Sequence, residues 1–231
     1  MIVEGMYRQI EIFKLKNNMT ENNFKILMYR YIEILKNLEN LKFYKFSFNL
    51  KHSPFGDPSF DAYLELWFEK LLDMEKMQKS LLISSIDKLR NNELSKALED
   101  HQIVWAKEHI VEIPDGYHSL PLKAGLYKQM GTLKTPPHMS KTELKEWWFE
   151  HARRFGGLKY LKWYTILFTL DSSPTTPLPF DGYAQIWFDS LEKLRKAFKT
   201  STEKEALDHV REYGLFDTAY CQEVWSKELS V

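Results

Sequence analysis

The chain has 231 residues, of which 44% are hydrophobic and 15% aromatic, enough for a packed core and too apolar for a disordered protein. Its 32 basic and 32 acidic residues cancel, so bulk charge offers no case for a nucleic-acid or anionic-membrane partner. A single Cys221 rules out an intramolecular disulfide, and no apolar run near the N-terminus suits a signal peptide or membrane span, so a cytoplasmic protein is expected.

Taken in order, the chain repeats itself. Residues 5–14 share Gly5, Tyr7, Gln9 and Lys14 with Gly125, Tyr127, Gln129 and Lys134 of residues 125–134. Each segment reads as a strand opened by its glycine. Residues 41–50 match 161–170 at five of ten positions, and residues 60–71 match 180–191 at six of twelve. That makes 15 identities in 32 at a constant offset of 120, where ordinary residue frequencies give about two by chance. The chain reads as a tandem duplication, with a first half at 1–112, a linker at 113–123 and a second half at 124–231. Pro114, Asp115, Gly116 and Pro121 mark the linker as turn-rich.

Between the first two strands of each half the apolar spacing is helical. In the second half Ser140 and Glu143 have capping-box spacing, Leu144, Trp147, Trp148, His151 and Phe155 form the stripe, and Gly156 and Gly157 end it. The first half offers Phe24, Leu27, Met28, Tyr31, Leu35 and Leu38 after Thr20, without the box glutamate. The third strands, residues 60–68 and 180–188, are rich in aromatic and branched residues. Second helices follow, from Glu69 to about Asp100 with a break near Arg90, and from Ser190 to about Tyr213. Last strands are expected at 103–108 and 223–228.

Each half therefore reads β-α-β-β-α-β, the ferredoxin-like unit. Alternation puts Phe180, Gly182, Ala184 and Ile186 on one face of the third strand and Asp181, Tyr183, Gln185 and Trp187 on the other. One face lies under the helices, and the other carries too much aromatic area to face water. The fold expected is α+β, with two such halves joined as an eight-stranded sandwich or barrel, helices outside.

Three stretches carry a family resemblance: residues 180–188, residues 147–152 with the Trp-x-x-x-His-Ala pattern, and residues 158–164. The chain resembles a tandem EthD-like protein of the dimeric α+β barrel superfamily, over nearly all of the second half and more weakly over the first. The resemblance implies a cofactor-independent oxygenase, decarboxylase, isomerase or cyclase acting on a small hydrophobic, aromatic or conjugated carbonyl compound. More distant superfamily members bind haem. The one candidate catalytic group it carries over is His151, where the first half has Tyr31.

His151 admits two readings, a core histidine bonded to the backbone or a general base facing a pocket. The second half also has less side-chain volume on the helix-facing side of its sheet: Gly182 and Ala184 stand where the first half has Ala62 and Leu64, and Gly131 replaces Glu11. A void follows unless the tryptophans fill it. Trp147, Trp148, Phe155, Gly182, Ala184 and Gly131 are therefore the expected substrate-binding walls, with His151 as acid or base. Asp61 and Asp181, present in both halves, are read as serving the fold. His101 and His209 are read as residues of helix ends, beside the C-terminal dipole. No metal-ligand spacing and no phosphate loop stands out. The alternatives are a non-catalytic ligand-binding or structural protein, and a haem protein with His151 as axial ligand. The partner expected is a small hydrophobic ligand, with no nucleic acid and no membrane; association of whole chains into a homo-oligomer is left open.

Overall fold

The computed structural model describes residues 1–50, 59–78, 88–113, 125–213 and 221–229. In chain order the first half comprises β1 (Ile2–Leu15), α1 (Glu21–Leu35), β2 (Leu41–Asn49), β3 (Ala62–Phe68) and α2 (Leu71–Gln78). A π-helical turn, Arg90–Leu94, continues into Ser95–Ala97 (together α3) before β4 (Leu98–Val111). The second half comprises β5 (Tyr127–Leu133), α4 (Lys141–Phe155), β6 (Trp163–Thr169), β7 (Gly182–Phe188), α5 (Leu191–Ala197), α6 (Ser201–Glu212) and β8 (Cys221–Glu228).

The eight strands close into one antiparallel barrel in the order β1-β3-β2-β8-β5-β7-β6-β4. The halves join through β2 with β8 and β4 with β6, so the outer strands of each half-sheet find a partner and no edge is left to aggregate. The registers agree at the offset of 120: Phe13 faces Ala62 as Leu133 faces Gly182, and Tyr7 faces Phe68 as Tyr127 faces Phe188. Asp61 accepts the backbone N–H of Leu15 at 2.8 Å, and Asp181 that of Thr135 at 2.8 Å. The two aspartates tie the end of each first strand to the start of the third, a role in the shared fold. Asn40 (φ 67°) and Tyr160 (φ 69°) both take the left-handed conformation, at matching positions ahead of the second strands. Asparagine tolerates that region better than tyrosine does.

Local signals explain the helices. Ser140 caps α4 with the full reciprocal box to Glu143, while Thr20 caps α1 through Asn23 N–H alone. The buried stripes pack on the outer sheet face: Phe24, Met28, Tyr31 and Leu35 in the first half, Leu144, Trp148, Ala152 and Phe155 in the second. Among the described residues no helix is long and apolar enough to cross a membrane.

Some boundaries differ from expectation. β1 begins before Gly5, with an irregularity between Glu4 and Tyr7, and β4 begins at Leu98 rather than 103. The turn residues Pro114 to Pro121, and so most of the expected linker, lie outside the described residues. His101 is not at a helix end: it belongs to β4 because β1 extends to Leu15 and pairs with β4 as far as Leu98.

The barrel interior departs furthest from a hydrophobic sandwich. One layer is apolar, with Ile10, Ile12, Tyr63, Val104, Met130, Leu167, Tyr183 and Val224. Beside it, fully buried Arg8 donates to Glu65 at 2.9 Å and to Gln185 at 2.8 Å, and also pairs with Glu108. Lys128 meets Glu65 at 2.7 Å and Glu228 at 3.3 Å, and Lys45 meets Glu228 at 2.7 Å. Burial alone would raise the Glu65 pKa, but Lys128 and Arg8 outweigh it and hold the carboxylate below its usual range. Arg8–Gln185, Lys128–Glu65 and Lys45–Glu228 each join one half to the other.

Candidate functional site between helix and sheet of the second half

The expected loss of volume has a physical counterpart. Gln129, Gly131, Leu133, Trp147, Trp148, His151, Phe155, Tyr164, Ala184, Ile186 and Val210 line a cavity of about 40 Å³. Six of the seven expected site residues, Gly131, Trp147, Trp148, His151, Phe155 and Ala184, meet there. The seventh does not line it. A Cβ on Gly182 would lie 2.8 Å from the Leu167 carbonyl oxygen and 2.9 Å from Trp148 Cζ3, so this glycine seats the Trp148 ring against the sheet. Its missing side chain is taken up by an indole.

The same place in the first half is filled differently. Glu11, the counterpart of Gly131, is fully buried and accepts from Tyr31 Oη at 2.8 Å, Arg90 Nη2 at 2.8 Å and Gln9 Nε2 at 2.9 Å, with His101 Nε2 at 3.0 Å. Burial alone would raise its pKa, but Arg90 and His101 bring it down to about 2. Burial and the same carboxylate push the Tyr31 hydroxyl well up. An ionic cluster therefore stands in the first half where the second has a cavity with apolar and imidazole walls.

His151 sits at the centre of the difference. Its Nδ1 lies 3.2 Å from Nδ1 of His209, and Trp147 stacks on both imidazoles at centroid distances of 4.9 and 5.3 Å. Phe155 meets the His151 ring edge-on. Burial, then His209 and Arg154, lower the His151 pKa to about 3, and burial lowers that of His209. Both rings are neutral near pH 7. The backbone-bonded core histidine is thus not what forms; the partner is a second imidazole. His209 stands in the last turn of α6, yet its ring turns inward, 2% exposed, because α6 packs on α4. The expectation of a helix-end residue beside the C-terminal dipole gives its place in α6 but not this contact, for which its position beside Val210 on a helical apolar stripe was the available signal.

Outside the cavity lies a groove of about 550 Å³ lined by His138, Met139, Glu143, Glu146, Trp147, Glu150, Glu212 and Tyr213. Trp147 is the wall common to both spaces. Its indole N–H is buried without a hydrogen-bond partner among the described residues, so stacking rather than a polar anchor holds the ring. Among the described residues no three His, Cys, Asp or Glu side chains converge as a metal-binding set.

Residues 136–211, which include α4, β6, β7 and nearly all of α6, match the family described as EthD domain. An anthrone oxidase-like protein has a similar structure, with a TM-score of 0.66 at 10% identity, covering 100% of this chain and 95% of that one. A variant chlorite dismutase from Candidatus Nitrospira defluvii is similar with a TM-score of 0.57 at 11% identity, over 99% of this chain and 93% of that one. At such identities the likeness is one of fold, an eight-stranded α+β barrel spanning the whole chain. No curated protein matches the sequence.

Proposed function

From the premise that an EthD domain occupies residues 136–211 of a barrel whose architecture is that of the dimeric α+β proteins, we propose that the second half is a cofactor-independent site for proton transfer on a small hydrophobic carbonyl compound. The first half is its scaffold, the two having arisen by duplication. The asymmetry carries this reading: Glu11, Arg90 and Tyr31 fill the first half, whereas Gly131 and Ala184 leave space beside His151 in the second.

His151 would take a proton from the carbon next to the carbonyl. The C–H bond breaks, its electron pair moves into the enolate, and a new N–H bond forms on the imidazole. A neutral ring is the form able to accept that proton, and the basicity that burial lowers would rise beside a developing enolate charge. Isomerisation would use the same group, the imidazolium returning the proton to a different carbon of the enolate. Trp147, Trp148 and Phe155 would supply the apolar walls.

A cavity of about 40 Å³ holds little more than water, and ligand sites usually run to several hundred Å³. Binding therefore needs the Trp147 ring to swing and join the cavity to the outer groove. Anthrone, named by a protein of similar fold, is a suitable probe. Its exchange of the acidic CH₂ protons in deuterated buffer should be accelerated by the protein, and much less by His151→Asn. No exchange above buffer, together with no change in tryptophan fluorescence on titration with anthrone, would defeat the proposal. Binding without exchange, unaffected by His151→Asn, would point to a ligand carrier.

Haem does not fit the residues as they stand. With Trp147 in place the cavity beside His151 has no room for a macrocycle. A Soret band on reconstitution with haem, lost in His151→Ala, would reverse that conclusion.

A further inference from the structure

A histidine base works only with its lone pair on the nitrogen that meets the substrate. In His151 that choice belongs to its neighbour. The two Nδ1 atoms, 3.2 Å apart, cannot both carry a proton or both present a lone pair, so one ring donates to the other. The tie is broken at the far side of His209. Its Nε2 is buried without a hydrogen-bond partner among the described residues and lies 3.8 Å from a carboxylate oxygen of Glu150. A lone pair facing that carboxylate is repelled, whereas an N–H there is attracted. The proton of neutral His209 thus belongs on Nε2, leaving Nδ1 as acceptor. His151 must then donate from its own Nδ1, and its lone pair lies on Nε2 of a ring that lines the cavity.

We propose that His209, polarised by Glu150, is a positioning residue that holds His151 as the Nδ1–H tautomer and so keeps a basic nitrogen available to the cavity. The assignment rests on the reading of His151 as a proton acceptor. It also explains why two histidines are buried against one tryptophan: Trp147 lies nearly parallel to both rings and fixes their relative orientation. When His151 takes a proton, His209 Nδ1 accepts from the resulting imidazolium, and Glu150 stabilises the charge through the second ring. Arg154 works against this, since it donates to Glu150 at 2.8 Å and faces the pair with a positive charge. Glu212, on α6, adds negative charge on the His209 side. The arrangement places the polarising carboxylate in the outer groove, which Glu150 also lines, while the base is buried beside the cavity.

The experiment is long-range ¹H–¹⁵N correlation of histidine side chains in the ligand-free, full-length protein at neutral pH, with His151 and His209 assigned by substitution. The expected result is a protonated Nδ1 on His151 and a protonated Nε2 on His209. In His209→Phe the His151 proton should shift largely to Nε2, and in Glu150→Gln, at a half-exposed site, the two tautomers should become mixed. Finding His151 protonated on Nε2 in the unaltered protein overturns the proposal without any variant. So does an unchanged His151 spectrum in both variants. Because the readout needs no substrate, it is independent of anthrone exchange: correct tautomers without turnover would remove the catalytic reading and leave the positioning intact, and turnover with the opposite tautomer would do the reverse.

Discussion

Acid should loosen this protein earlier than its carboxylates alone would allow, and His151 sets the reason. In the unfolded chain its imidazole titrates near 6.5; in the folded protein, deprived of water and facing His209 and Arg154, it titrates at about 3. Between those values the unfolded state binds a proton that the native state refuses, so stability is lost as pH falls. The slope approaches about 1.4 kcal/mol per pH unit below 6.5, and from pH 6.5 to 4.5 the loss from this one group comes to about 2 kcal/mol. That window lies above the one in which Glu11 contributes. The Glu11 pKa is about 2 against 4.5 when unfolded, so its contribution fades only as pH falls through that lower range. Urea unfolding followed by circular dichroism at half-unit pH steps, on the unaltered protein and His151→Asn, isolates the effect. The difference between the two should change by about 2 kcal/mol across the window. Parallel curves would mean that His151 titrates as it does in water, and the buried, unprotonated pair would have to be abandoned.

Further outcomes follow from the packing. Gly182→Ala forces a methyl within 3 Å of the Leu167 carbonyl and the Trp148 ring, and should cost about 1–3 kcal/mol in chemical denaturation while changing tryptophan fluorescence. Ala184→Leu restores the leucine found in the first half and should occupy the cavity, abolishing anthrone-induced fluorescence change without unfolding the protein. Glu65→Leu strips Arg8 and Lys128 of a shared carboxylate and should destabilise by roughly 3–5 kcal/mol, the range for breaking a buried ion pair from one side. An unchanged urea midpoint in that variant would show that water reaches the barrel interior.

The barrel and most of the cavity could be read before any coordinates because repetition converts comparison into volume. Gly131 against Glu11 and Ala184 against Leu64 register missing atoms at matched places, and Trp147, Trp148, His151 and Phe155 follow from helical spacing onto the same face. Gly182 misled because a missing side chain does not say whether a neighbour has taken its place; Trp148 had. The charged layer inside the barrel escaped notice because charges are ordinarily solvated and the total is zero. Its trace was present in the alternation, since Glu65 falls between Tyr63 and Trp67 on the inward face, and Arg8 and Lys128 occupy equivalent places. The His209–His151 contact was missed for a different reason: the local stripe of Ala206, His209 and Val210 marks a buried helix face, but the α6–α4 contact that brings the two rings together is long-range.

The interior bonds between the halves have an implication for how the two sites can vary. In a barrel assembled from two identical chains, every substitution lands twice, so a mutation that plugs one site plugs the other. Here one chain carries both halves, so each position occurs once, and Arg8–Gln185 and Lys128–Glu65 hold the two unlike halves together inside the barrel. Substitution can therefore place Glu11 and Arg90 in one half while Gly131 and Ala184 leave space in the other.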